Sequence, residues 1–492
     1  MILSLNLMLT VYGLVALGVL LLTLLSKSHR TMNVLSIVLP ASFLALTLFI
    51  LTYSRLPGYA LGGGYFLVDH LSLYEVLISA VLFLLAALYS RGYIEGSIEI
   101  HEMDRINLKL FYIAFNLLLV AITYAFFSDD LALFWILAEL TTAFSAVLIV
   151  MLNAPKNIGA TLKYVFITST CMLFAFVGLI LLFTSSQNSS GIGTLNWSAL
   201  MSVASTLPPG ILVASFIFTF VGFAAKSGIV PFHAWLPSAH SKAPAPVSAI
   251  LSGSVTSVGI YGIIRMYAIV AQSPELFEIS IFLITFGAAS MVVAALTMIN
   301  QVNLKKLIGY STVENMGFLL VGLGIGGPVA VFWMLFYILA HAFTKASLFF
   351  SAGIIHHQFE SVRMENIKNA FKLQPFASWS LILGTVAITG MPLSAIFLPK
   401  ISILLQSAML SPALLFGLLI IFLFAAAAFG VFIIKLLSQK EENPGEIKHY
   451  QATFGMKISI VALLITVFVL GVFLPQQLTD LLKTIVSELG IR

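Results

Sequence analysis

Long apolar runs of roughly twenty residues, the length that crosses a ~30 Å hydrocarbon core as a helix, recur along the whole chain. They centre near residues 15, 43, 80, 118, 141, 172, 222, 256, 288, 314, 340, 390, 422 and 465, which makes fourteen. The pattern predicts an all-α polytopic membrane protein with about fourteen transmembrane helices. The first run, Leu5–Leu25, is long enough to span and lacks a basic leader, so no cleaved signal peptide is expected. Residues 54–72 form a Gly-rich loop, and residues 185–209 form an uncharged one rich in Ser, Asn and Gly. Gln476–Arg492 is at most a short amphipathic helix. No soluble domain or low-complexity tail is expected.

Two runs are interrupted. The seventh holds Lys226 in its middle, then Gly228, then Pro231, which removes a backbone donor; the helix should break there. The twelfth is interrupted at Gly390-Met391-Pro392 and followed by Lys400. Each break lies two spans beyond a run containing a lone glutamate. Glu139 precedes Lys226 by 87 residues and Glu314 precedes Lys400 by 86. The halves are then spans four to eight and nine to thirteen. Five is odd, so the second unit enters from the opposite side: an inverted repeat, whose paired broken helices mark a transport site. The implied division is 1–107 for three N-terminal helices, 108–272 for the first repeat, 273–440 for the second, and 441–492 for the last helix and tail.

Composition sharpens the class. Of 492 residues, 60% are hydrophobic and 9% charged, with mean hydropathy +1.07, which no soluble domain of this size accommodates. Cys171 is alone, which excludes a disulfide framework and a thiolate metal site. The net charge of +5 sits in short loops, which argues against nucleic-acid binding and for a lipid bilayer as the partner surface. Sixteen basic residues fall in one set of loops: Lys27, Arg30, Arg91, Arg105, Lys109, Lys156, Lys242, Lys305, Lys306, Arg363, Lys368, Lys372, Lys435, Lys440, Lys448 and Lys457. The alternate set and the termini hold three, Arg55, Lys483 and Arg492. The asymmetry predicts a multi-pass protein of the cell membrane with both termini outside.

The remaining basic residues, Lys163, Lys226, Arg265, Lys345 and Lys400, fall within spans or at their edges. A charge in hydrocarbon costs at least ~2.5–3.5 kcal/mol on insertion scales, so such groups face partners or water and mark ion pathways. His341 lies one turn before Lys345, on the same helix face. A glutamate beside a desolvated lysine can switch it between holding and releasing a proton, and histidine titrates near physiological pH. The candidate relay is Glu139, Lys226, His341, Lys345 and Lys400, with Glu314, His233 and Lys163 as further members. Arg265, near the outer end of its span, reads as structural, and Lys163 is close enough to a boundary to snorkel. His233 and His240 fall at an interface beside the first break, and His356 and His357 are expected in solvent. No nucleophile–base pair or metal-ligand cluster suggests an enzyme, and no cofactor is expected.

Four ordered motifs make the chain resemble a known superfamily. KSGIVPFHAWLPSAHSKAPAPVSAIL from Lys226, LKKLIGYSTVENMG from Leu304, HAFTKASLFFSAG from His341 and AITGMPLSAIFLPK ending at Lys400 are similar to signatures of the antiporter-like subunits of respiratory complex I, Mrp-type cation/proton antiporters and membrane-bound group 4 hydrogenases. The pairing of AHSKAPAPVSA with STVENMGFLLVGLGIGGP looks closest to the hydrogenase branch. The resemblance implies fourteen helices, inverted five-helix repeats, broken seventh and twelfth helices and a midplane row of charges. On it, Glu139, Lys226, His341, Lys345 and Lys400 match the family's charged positions. Ser257 stands where an eighth-helix lysine is common, and Asn315 where a tenth-helix histidine is. The implied function is ion translocation, proton or sodium, in the membrane arm of a redox-driven complex, with other membrane subunits and a peripheral redox module as partners. An Mrp-type antiporter component, a complex I subunit and a non-conducting scaffold are the alternatives. With Ser257 unable to hold a proton, water or a neighbouring polar group must bridge Lys226 towards His341.

Overall fold

The computed structural model describes residues 5–53, 58–60, 64–152, 155–191, 193–273, 276–438 and 449–491. Among them thirteen helices are long and apolar enough to cross a membrane. Two shorter apolar helices, Pro375–Thr389 and Phe397–Leu410, occupy the predicted twelfth run and together complete the fourteenth crossing. Arg55, Lys440, Lys448 and Arg492, and the expected boundary at residues 440–441, lie outside the described residues, as does the side chain of Lys156. An even number of crossings brings both described ends to one face. There the amphipathic helix Gln476–Glu488 buries Leu482, Ile485 and Val486. His70 Nδ1, at the start of the third span, meets Glu488 Oε1 at 2.6 Å.

Hydrocarbon offers backbone groups no partners, so the spans are helices closed by their own hydrogen bonds. Hydroxyls within them turn back on the preceding turn, as Thr23 donates to the Val19 carbonyl at 2.7 Å and Thr168 to that of Tyr164 at 2.8 Å. The outer spans expose Leu22, Phe166 and Leu423. The core is built from the third span His70–Glu99, the eighth Ala245–Val270, the tenth Leu304–Ile325 and the eleventh Gly327–Phe359, the eighth being buried throughout. One turn of the eighth span, Leu251–Val255, is wound as a π-helix, which the apolar pattern did not signal.

Both interrupted spans break where the sequence places the interruption. The seventh runs as Pro209–Ser227, turns at Gly228 with φ 74° and ψ 34°, and resumes through Phe232–Trp235 into Leu236–Lys242. The twelfth ends its first helix at Gly390 with φ 88° and ψ 38°, and restarts at Phe397. Left-handed backbone favours glycine at both. Space also matters there: a Cβ on Gly228 would lie 2.8 Å from Leu236 Cδ2, and one on Gly390 2.9 Å from Lys400 Cδ. A break frees carbonyls, and each break fills one. Trp235 Nε1 donates to the Ala225 carbonyl at 2.8 Å, and Lys400 Nζ donates to that of Ile388 at 3.0 Å.

The loops depart from an all-helical reading in one place. Gly58–Ala60 pairs antiparallel with Phe66–Val68, and Leu67 N–H donates to the Phe127 carbonyl at 2.9 Å. The loop expected from residue 185 starts later, because the sixth span runs helical to Ser190; beyond it lies the helix Trp197–Val203, held by Asp129, which accepts from Ser198 Oγ at 2.6 Å. Trp197 Nε1 donates to the Arg265 carbonyl at 2.9 Å, and its ring lies 4.2 Å from the Arg265 guanidinium. That guanidinium forms a buried ion pair with Asp69 at 2.7 Å, consistent with a structural role for Arg265. Asp69 also caps the third span, accepting from Ser72 N–H at 2.9 Å.

Removing one partner of such a pair leaves the other charge buried, at about 3–5 kcal/mol. Asp69→Ala is therefore expected to lower the thermal stability of the purified protein sharply. Asp69→Ala combined with Arg265→Met should recover part of the loss in the same melting assay.

Candidate functional site

Lys226 sits on the last turn before the first break and is fully buried. Its Nζ donates to Thr142 Oγ1 at 2.8 Å. Thr142 is three residues beyond Glu139 on the fifth span, so the lysine's acceptor and the carboxylate share a helix face. Glu139 is the carboxylate whose field acts on Lys226. It is half-buried, accepting from Ser169 Oγ at 2.8 Å through one oxygen while the other has no partner.

In the second half, Glu314 lies within electrostatic reach of both Lys345 and Lys400. One of its oxygens accepts from Asn315 Nδ2 at 2.7 Å and the other is buried without a partner. Lys345 Nζ donates to the Ile308 carbonyl at 3.0 Å and to Ser311 Oγ. Lys400 Nζ, held on the Ile388 carbonyl, also lies 4.3 Å from the centre of the Phe422 ring. His341 is buried one turn from Lys345, and its Nε2 has no partner.

Between the halves, Ser257 spends its hydroxyl on the Gly253 carbonyl at 3.0 Å. The connection runs beside it. Ser227, next to Lys226, donates to the Thr256 carbonyl at 3.2 Å, and Thr256 Oγ1 donates to that of Ser252 at 2.7 Å. Ser252 Oγ and Thr312 Oγ1 are 2.9 Å apart, linking the eighth span to the tenth. Thr312 Oγ1 then donates at 3.3 Å to the Ile308 carbonyl, which Lys345 also holds. These hydrogen bonds, connected only through the covalent backbone at Thr256 and Ser252, line a polar track from the residue beside Lys226 to Lys345. Ser252 belongs to the π-helical turn, which places that part of the track.

At the face of the basic loops a polar cavity of about 380 Å³ is lined by Glu102, Lys242, Lys305, His356 and Arg363, among others. His356 Nε2 meets Glu102 Oε1 at 3.2 Å. Burial pushes the Glu102 carboxyl up, but His356, Lys305 and Lys242 outweigh it and hold it below the usual carboxylate range. Three expectations change here. His356 and His357 are buried, not solvated: the eleventh helix continues to Phe359, and His357 stacks on Tyr93 at 4.4 Å. Lys305, counted as a loop residue, is also buried and donates to the Ala243 carbonyl at 3.2 Å. The two histidines near the first break exchange places. His233 is half-buried and lies within electrostatic reach of Lys163, whose side chain is exposed on the outside of the bundle. Neither is brought to Lys226 or Lys345 by any described hydrogen bond. His240 is fully buried against Phe349 at 4.6 Å, with neither ring nitrogen bonded and the charges of Lys345 and Lys305 both acting on it. It lies within electrostatic reach both of Lys345 and of Lys305, which lines the cavity. The sequence signal for it was its place in the helix after the break, where an inward turn cannot be told from an interfacial one.

The NADH:quinone oxidoreductase/Mrp antiporter transmembrane family matches residues 128–424, more than half of the chain and the part holding every charged group of the two lysine clusters. A hydrogenase-4 component F homolog of Methylacidiphilum infernorum is 28% identical over 85% of this chain and 87% of its own length. A Na(+)/H(+) antiporter subunit of Alkalihalophilus pseudofirmus is 26% identical over 73% of this chain and 72% of its own. In fold, the chain is similar to one in the membrane-bound sulfane sulfur reductase, an archaeal respiratory membrane complex. The TM-score is 0.84 at 21% identity, covering 98% of this chain and 97% of that one. With two glycine-broken spans, each following a glutamate-bearing one, the chain belongs to the NADH:quinone oxidoreductase/Mrp antiporter transmembrane family.

Proposed function

We propose that the chain is an ion-translocating membrane-arm subunit of a redox-driven complex of the membrane-bound hydrogenase type. The carrying observation is the buried lysine at each break, each in the field of a glutamate, with the Ser252–Thr312 contact lying between Lys226 and Lys345. In this reading Glu139 sets the affinity of Lys226 for a proton, and Glu314 does the same for Lys345 and Lys400. His240 passes charge between Lys345 and the cavity at the basic-loop face, and His341 extends the relay. Lys163 and His233 act at its margin. The two units are residues 108–272 and 273–440, related as inverted repeats. Their consecutive spans pack in the same order, four on five through seven on eight and nine on ten through twelve on thirteen, which supports the pairing. Similarity to the hydrogenase-4 component favours a peripheral redox module as the driving partner. The likeness to a Na(+)/H(+) antiporter component favours a second reading, in which a cation gradient replaces redox energy. Co-purification of iron–sulfur-containing partners from native membranes selects the first. Cation-driven proton exchange without reductant selects the second.

Lys226→Ala is expected to abolish ion translocation in sealed vesicles while the subunit still assembles, because a neutral side chain neither binds a proton nor responds to Glu139. Full transport by this variant would favour a scaffold. His240→Phe preserves the stacking volume, and it should slow proton uptake from the basic-loop face more than it lowers the amount of folded protein.

In this reading both termini lie outside the cytoplasm, which the basic-loop asymmetry supports. Reporters fused at the C-terminus are expected to be active only on the outer side. Cytoplasmic activity would overturn the orientation.

A further inference from the structure

The third span holds a carboxyl that neither lysine cluster uses. Glu75 is fully buried, and neither of its oxygens has a hydrogen-bond partner. The packing of the neighbouring helices shows what surrounds it. Phe83 and Phe115 meet at 5.1 Å, fixing the antiparallel fourth span against the third. Counting in opposite directions from that contact sets Thr123 level with Glu75, and Asn116 one turn beyond Ser79. The Asp69–Arg265 pair and the seat of Leu82 over Gly253 fix the eighth span in the same way, which sets Ser254 beside Ser79. Ser79, Thr123, Asn116 and Ser254 are each fully buried, and their side-chain polar atoms also have no partner.

The charged and titratable neighbours are otherwise engaged. Arg265 is neutralised by Asp69. Tyr261, which feels the Glu75 charge, accepts from Arg265 and donates to the Phe126 carbonyl, each at 2.6 Å. Tyr74 donates to the Leu335 carbonyl at 2.9 Å. On the eleventh span His341 adjoins Ala342, which packs on Gly253, and it exerts no resolved field on Glu75. A bare carboxylate is too costly to leave unpaired in such an interior, so it must hold a positive charge of its own. By the same counting the five groups extend over about 10 Å of the helix axis, too far for one coordination sphere, so they form a polar file in which Glu75 is the ionisable member.

We propose that Glu75 holds a proton at one end of a buried polar file of Thr123, Ser79, Ser254 and Asn116 between the third, fourth and eighth spans. It lies beneath the Asp69–Arg265 pair, in the half of the bundle nearer the chain ends. It supplies a charge-holding group beside the eighth span at the level where Ser257 supplies none. Its role in transport rests on the ion-translocation reading, but its existence does not.

The test uses the full chain in native membranes. Dicyclohexylcarbodiimide is lipophilic and adds a protonated carboxyl across its N=C bond, then rearranges to a stable acylurea. Peptide mass spectrometry of the third span reads the product at Glu75. An infrared carboxyl C=O band lost in Glu75→Gln is the second readout. Labelling, or a Glu75-dependent band, that declines in alkaline medium and ignores sodium identifies a proton site. Suppression by sodium and not by equal potassium would overturn the proposal, because Glu75 would then hold a metal cation and no proton. Absence of both signals, while Glu314 is labelled in the same sample, overturns the proposal. Glu75→Gln is expected to reduce transport several-fold at unchanged assembly, with Glu75→Asp recovering part of it. Loss of the translocation reading would show differently, as transport retained in Lys226→Ala with Glu75 still reactive.

Discussion

Inside hydrocarbon, a free backbone carbonyl and a buried ammonium are each intolerable alone, and each satisfies the other. Much of this molecule follows from that constraint. Breaking the twelfth span at Gly390 exposes carbonyls of the preceding turn, and Lys400 reaches back to the one at Ile388. At the break of the seventh span the Ala225 carbonyl is shared by the Gly228 N–H and the indole of Trp235. Lys226 is left to Thr142 and to the field of Glu139. The two halves use one device with different endings. The second-half lysine is tied to the break that created its site, so a shift of that break moves its ammonium directly. The first-half lysine is tied to a neighbouring span, so its state depends on how the fifth and seventh spans sit against each other.

The same constraint decided what could be read from the sequence. A lone Glu or Lys in twenty apolar residues is conspicuous because its insertion cost demands an explanation, and a Gly–Pro pair in such a run has few meanings. Glu139, Lys226, Glu314, Lys345, Lys400 and both breaks were legible for that reason. Glu75 escaped notice in a run read only by its centre. The Ser252–Thr312 contact was not legible, because Ser and Thr are common in membrane helices and usually bond their own backbone, as Thr23 and Ser90 do. Nor was the π-helical turn, since it depends on packing and not on propensity. His356 and His357 were misplaced because the eleventh helix runs beyond its apolar stretch. Its polar end then lies under Tyr93 and against Glu102, where pattern alone suggests solvent.

The link between the halves sets the character of the proposed relay. A hydroxyl passes a proton by donating one and accepting another, but it has no stable charged form near neutral pH. Lysine and histidine do. Between Lys226 and Lys345 the track offers Ser227, Thr256, Ser252 and Thr312, with backbone carbonyls between them and no titratable side chain among them. An excess proton in that segment is therefore a transient in a medium of low dielectric, while at either end it has a resting place. In the proposed relay the barrier to exchange between the halves accordingly falls at the π-helical turn and not at a lysine. Whatever moves the eighth span against the tenth changes the Ser252–Thr312 separation, and with it the coupling of the two lysine clusters. A lysine at position 257 would give the proton a halt midway. With serine there, the proposed relay must cross by that hydroxyl contact or by water.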